Sequence, residues 1–135
     1  NLTDRQWILP GARTKNGRAH HVHLSDETCA VLGRLPRISA YVFVCARRPY
    51  AGFSQDKPRL DHLSGVSGWR LHDLRRTVVS GMARLGVAPH VADKILNHQS
   101  GAISGVAAVY QRHDFMAERR DALERWGQHI AELVS

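Results

Sequence analysis

The chain has 135 residues, 43% of them hydrophobic, which suits a single domain with a buried core and excludes a disordered polar tract. Lysine and arginine outnumber aspartate and glutamate by 19 to 12, giving a net charge of +7, and sixteen of those cations are arginine. No apolar run approaches the roughly 20 residues of a membrane span and no signal peptide opens the chain, so a cytoplasmic protein that does not engage a membrane is expected.

The first predicted element is a hairpin. Residues 6–9 are β-prone, residues 20–24 alternate with Val22 and Leu24 on one face, and Asn16-Gly17 between them is a strong turn signal that places Lys15 at the tip. Ser25 is a suitable cap for a short helix carrying Asp26 and Glu27 in its first turn and Cys29, Leu32 and Leu35 along its apolar stripe. Residues 41–45 read as a strand and residues 46–52 as a loop. Ser54 is the expected cap of a helix to about Leu63, with Pro58 near its first turn and Phe53, Leu60 and Leu63 facing inward. Ser64 to Gly68 is a flexible joint.

Residues 71–85 have a clear helical period in Leu74, Val78, Met82 and Leu85, closed by Gly86. Pro89 opens a further helix in which Val91, Ile95 and Leu96 pack inward, and Asn97 ends it, leaving His98 just beyond. A small-residue loop over 100–105 and a short helix over 106–110 follow. From Phe115 onward Ala122, Leu123, Trp126, Ile130 and Leu133 define a last amphipathic helix, expected to pack in cis. The fold class is therefore mainly α with a small antiparallel β-sheet (α+β), in one domain over residues 1–135. Cys29 and Cys45 read as buried, reduced thiols.

The chemistry concentrates in a few positions. His72 and Arg75, three apart, share a helical face near a helix N-terminus, where an anion meets both side chains and the helix dipole. His98 lies 23 residues past Arg75 and Tyr110 12 residues past His98. Two imidazoles, a guanidinium and a phenol supply phosphate donors, a proton acceptor and a nucleophile. Arginine pairs at 47–48, 75–76 and 119–120 flank these motifs, and with the basic balance they point to nucleic acid as partner. A strand puts His21 and His23 on one side at a spacing that rarely chelates alone, and no metal cage or nucleotide loop is visible, so no metal or cofactor is expected. Asp73 reads as a local cap, and His90 and His113 as surface residues.

The run Trp69-Arg70-Leu71-His72-Asp73-Leu74-Arg75-Arg76-Thr77, with Leu96-Asn97-His98 and Val109-Tyr110-Gln111-Arg112-His113, resembles the tyrosine recombinases, specifically the phage and genomic-island integrases. Arg13-Thr14-Lys15-Asn16-Gly17-Arg18 with Val22-His23-Leu24-Ser25 is similar to that family's hairpin lysine motif. The four motifs stand in the family's order and span nearly the whole chain. The resemblance implies a tyrosine recombinase catalytic-domain fold and strand exchange on double-stranded DNA attachment sites by a tetramer, without metal, ATP or hydrolysis. It assigns Tyr110 as the nucleophile forming a 3′-phosphotyrosyl bond and Arg75 as the clamp on the non-bridging oxygens. His72 handles a proton and contacts phosphate, His98 hydrogen-bonds the same phosphate, and Lys15 protonates the departing 5′ oxygen. Arg76, Arg112, Arg13 and Arg18 are expected on the DNA backbone.

The family's first catalytic arginine, in an arginine-x-x-glutamate context upstream of the hairpin, has no counterpart here, because neither Arg5 nor Arg13 stands in that context. Since the chain also opens on Asn1, it is expected to be an N-terminally truncated catalytic-domain fragment, monomeric and inactive alone. Two other readings compete: a non-catalytic basic DNA-binding module, such as a decayed integrase remnant, and a phosphotyrosyl topoisomerase. A covalent protein–DNA adduct separates the first of these from an enzyme, and recombination between two sites separates the second from a recombinase.

Overall fold

A computed structural model describes residues 1–98 and 113–135. Among the described residues there are five α-helices and two two-stranded antiparallel sheets, the expected α+β class. β1 (Gln6–Leu9) pairs with β2 (His20–His23), with Gln6 opposite His23 and Leu9 opposite His20. The ladder stops at Leu9 because Pro10 has no N–H to extend it. A single 3₁₀ turn, Gly11–Arg13, and a tight turn through Gly17 (φ 70°) complete the tip, so the connection is longer than a two-residue Asn-Gly hairpin. The Thr14 hydroxyl bonds the Gly11 and Arg18 carbonyls at 2.9 and 2.7 Å, and Gly11 approaches the Gly17 carbonyl too closely to carry a Cβ. These contacts make the tip a compact knot.

Ser25 caps α1 (Asp26–Gly33) by accepting from the Thr28 N–H at 3.2 Å. The expected strand over 41–45 shrinks to β3 (Val44–Cys45), paired with β4 (Arg48–Pro49), while Tyr41, Val42 and Phe43 are exposed. The loop expected over 46–52 thus contributes a strand of its own. Cys29 is half-buried and Cys45 exposed, so the buried-thiol expectation fails for Cys45, which sits beside a solvent-facing turn.

α2 (Phe53–Ser64) departs most from expectation. Its N-cap is Gly52 rather than Ser54, and Pro58 falls inside the helix, where its missing N–H removes one ladder bond. Phe53, Leu60 and Leu63, expected to face inward, are 55, 47 and 72% exposed. The helix is held instead by polar contacts: Lys57 bonds Asp61 at 2.7 Å and lies 4.2 Å over the Trp69 ring. α2 packs extensively on no other element among the described residues.

α3 (Leu71–Arg84) and α4 (Pro89–Ile95) form the next pair. Asp73 accepts from the Arg70 N–H at 2.9 Å, capping α3, and this bond holds its carboxyl below the usual value. Both helices end in the same backbone motif. After α3, Gly86 (φ 76°) donates to Ala83 O and Val87 to Met82 O; after α4, Asn97 (φ 55°) donates to Lys94 O and His98 to Asp93 O. These are Schellman closures, with a left-handed residue one step past the cap.

α5 (Met116–Val134) binds the rest together in cis, packing on α1, β2, α3 and α4. Ala122 and Met82 are each 1% exposed, and Leu24, Val91 and Ala92 complete the buried core. Trp126 lies over Gly81 of α3. Arg119, counted with Arg120 among the basic surface pairs, is only 6% exposed and donates to the His21 carbonyl. It is a structural strut rather than a DNA contact. Glu124 accepts from His23 Nε2 at 2.6 Å and from the Asp26 N–H at 3.1 Å, and Arg5 completes the cluster at 3.3 Å. Leu74, Ile130 and Leu133, predicted on apolar stripes, are exposed, the last two along an open groove between α3 and α5. No helix among the described residues is long and apolar enough to cross a membrane.

Candidate active site

Two of the residues singled out by sequence, Arg75 and His98, meet at the C-terminal end of α4, together with the neighbour of a third, Lys15. There four consecutive residues are each engaged. The Ile95 carbonyl meets His20 Nε2 at 3.0 Å, the Leu96 carbonyl accepts from Arg75 Nη2, and the Asn97 carboxamide meets Asn16 Nδ2 at 2.8 Å. His98 follows, its backbone N–H on Asp93 O at 2.9 Å and its Nδ1 3.5 Å from Asp93 Oδ1. The hairpin is therefore pinned through His20, where its connection leaves the ladder, and at its tip through Asn16. α3 is pinned through Arg75.

The local causes are plain. The Schellman closure of α4 demands a left-handed residue, asparagine tolerates that conformation, and the turn it makes delivers His98 beside the helix end. Arg75 lies one turn into α3, where the α3–α4 packing brings its guanidinium to the carbonyl of Leu96 at the end of α4. A helix C-terminus carries partial negative charge, so a guanidinium suits it. His72, three residues earlier, is exposed near the N-terminus of α3. Lys15 is exposed at the hairpin tip, next to the pinned Asn16. Burial pushes the pKa of His20 below its ordinary value, with Arg119 and Arg75 adding to the shift, so the ring is neutral and its Nε2–H donates to Ile95 O.

The expected DNA contacts divide. Arg76 is exposed, 3.5 Å from Asp73, on the rim of an open groove between α3 and α5 that also holds Arg84, Trp126 and His129. Arg13 and Arg18 are exposed on the hairpin tip. Tyr110 and Arg112 lie outside the described residues, as do the loop over 100–105 and the helix over 106–110. His90 and His113 are exposed, as expected, and flank the Phe115 ring at centroid distances of 4.7 and 4.6 Å.

Sequence reasoning missed three participants: Asn16, Asn97 and His20. Asn97 carried the one local signal, an asparagine where a helix ends, but nothing local tells which side chain it meets 81 residues away. Arg5 joins the Asp26–Glu124 cluster by the His23 end of β2, whereas the candidate site adjoins the His20 end. No group of three or more His, Cys, Asp or Glu disposed to hold a metal occurs among the described residues, where His20 and His23 are engaged elsewhere.

The chain is 28% identical over 134 residues to "Prophage integrase IntA" of Escherichia coli (strain K12), an alignment covering 96% of this chain and 31% of that protein. The chain thus spans about a third of that relative's length. No solved structure matches it. The model of the phage integrase family matches residues 1–116, most of the chain, and it is to this family that the chain belongs.

Proposed function

We propose that this chain carries the catalytic residues of a site-specific DNA recombinase that works through a tyrosine nucleophile on double-stranded DNA. The observation that carries the reading is the convergence of the hairpin tip, Arg75 and His98 on one helix end, from three separate stretches of sequence. Those stretches hold the motifs that resemble the tyrosine recombinases, and membership of the phage integrase family supports site-specific recombination in general.

In the proposed step the Tyr110 Oη attacks the scissile phosphorus. A new O–P bond forms at the 3′ side as the bond from phosphorus to the 5′ oxygen breaks. The phenol proton passes to His72, and the departing 5′ oxygen takes a proton from Lys15. A phenol near its ordinary pKa of about 10 is a weak nucleophile at neutral pH, so the acceptor and the surrounding positive field are needed. Arg75 and His98 donate to the non-bridging oxygens, where charge gathers in the transition state. Attack by a 5′ hydroxyl of a second strand on the phosphotyrosine reverses these bonds, releases Tyr110 and joins the new strand. The phosphate ester energy is conserved throughout, so the step needs no ATP. Arg13, Arg18, Arg76 and Arg112 hold the DNA backbone, and the full-length protein acts as a tetramer on its attachment sites.

No arginine in this chain matches the family's first catalytic arginine; Arg5 is committed to Asp26 and Glu124. We infer that the 135-residue chain alone is a monomer that binds DNA without cleaving it. Incubating the full-length protein with a nicked attachment-site duplex tests the reading. A covalent adduct that survives denaturation, and recombination between two sites, are expected. Binding with neither outcome would leave a DNA-binding module, and an adduct with supercoil relaxation but no joining of two sites would make it a topoisomerase.

A further inference from the structure

We propose that Asn16 and Asn97 are positioning residues whose amide pair holds the hairpin tip, and with it Lys15, against His98. The inference rests on the reading of Lys15 as the proton donor. Neither asparagine needs to touch the phosphate; each is the chain neighbour of a residue that does. A single hydrogen bond of 2.8 Å, partly buried, therefore sets the distance between two groups whose backbones are 83 positions apart in sequence.

The orientation of the pair is dictated locally. Asn16 Oδ1 already accepts from the Arg18 N–H at 3.1 Å, which turns its Nδ2 donor toward Asn97. The choice of residue at position 97 supplies the second argument. α3 and α4 close with the same hydrogen-bond pattern, and each needs a left-handed residue one step past the cap. After α3 that residue is Gly86, the least strained choice; after α4 it is Asn97, which keeps a side chain at the cost of conformational comfort. That side chain is used, and its partner is the hairpin tip. His20 ties only the point where the connection leaves the ladder, so without the amide pair the compact tip, with the exposed Lys15 on it, is free to swing as a unit away from the site.

The test uses the full-length protein and a nicked attachment-site duplex in two forms, with oxygen or sulfur at the 5′ bridging position. Sulfur leaves without a proton, so it removes the need for an acid. Asn97→Gly suits the left-handed conformation and deletes only the amide; Asn16→Ala deletes the partner. Each is expected to slow cleavage of the oxygen substrate on the order of ten- to a hundred-fold, the cost of a misplaced catalytic group. DNA affinity stays within about two-fold, sulfur restores cleavage, and the double variant is no slower than the slower single one because one bond is lost in all three. Unchanged cleavage, multiplying losses in the double variant, or a loss that sulfur leaves intact while it rescues Lys15→Ala would overturn the proposal. If Lys15→Ala itself is not rescued, the acid assignment fails and this inference falls with it.

Discussion

Arg75 has two tasks that a single substitution, Arg75→Ala, separates. In the folded chain its guanidinium donates to the carbonyl of Leu96, joining α3 to the end of α4. Hydrogen bonds to charged groups contribute roughly 1.5–3 kcal/mol, and the solvent screening at the half-buried position of Arg75 brings its loss down to the lower bound or just below it, about 1–1.5 kcal/mol. For a domain of this size that lowers the midpoint of thermal unfolding by about 3–6 °C. The catalytic loss is expected to be larger. Removing a fixed donor from the site of developing charge costs roughly a hundred- to a thousand-fold in rate. The assay pairs thermal unfolding by circular dichroism with single-turnover cleavage and DNA affinity in the full-length protein, measured well below the new midpoint. Cleavage should fall at least ten times further than affinity, about the margin a transition-state contact implies. Equal losses in cleavage and affinity would reduce Arg75 to an ordinary phosphate contact, and an unchanged melting curve would refute its bond to Leu96.

Gly81→Ala should destabilise the α3–α5 contact, because a Cβ there would lie 2.6 Å from Cη2 of Trp126. Overpacking of roughly 1–3 kcal/mol outweighs the gain of up to about 1 kcal/mol in helix propensity, and in a Trp126→Leu background the sign should reverse in urea unfolding. His20 makes stability pH-dependent. Its folded pKa lies below the ordinary value of about 6.5, so as pH falls the unfolded chain takes up the proton first. Its contribution is full above that value and is lost progressively down to the depressed folded pKa. His20→Gln, which still donates to Ile95 O without titrating, should flatten this part of the pH–stability curve; a curve unchanged by the substitution would contradict the buried neutral ring. DNA binding by the 135-residue chain should be electrostatic, with log affinity falling against log salt at a slope of roughly −2 to −5 for a few phosphate contacts. A salt-independent affinity would contradict the basic surface as the binding face.

The elements carried by strong periodicity or cap chemistry were legible: β1, β2, α1, α3, α4 and α5 stand where Asn-Gly, Ser25, Gly86, Pro89 and the apolar stripes imply. Periodicity reports that a helix has an apolar side, not whether anything lies against it. Phe53, Leu60 and Leu63 of α2 therefore read as core while standing exposed. Charge misleads in the same way at Arg119, which appears in sequence as half of a surface pair yet threads into the junction of α5 and β2. At the candidate site the residue types suited to phosphate chemistry were readable, since histidine and arginine three apart announce a shared face. The pins that assemble them were not. Carbonyl acceptors such as Leu96 O have no signature of their own, and the Asn16–Asn97 bond joins segments 81 residues apart.

The central claim is that Tyr110 becomes joined to DNA, and peptide mapping of the adduct tests it most directly. The full-length protein is trapped on a nicked attachment-site duplex, digested with nuclease and trypsin, and analysed by mass spectrometry. The account predicts that the tryptic peptide covering 95–112 carries the mass of a phosphonucleotide on Tyr110, and that Tyr110→Phe yields no modified peptide while still binding the duplex. A nucleotide on any other residue, or an adduct that persists in Tyr110→Phe, would contradict it.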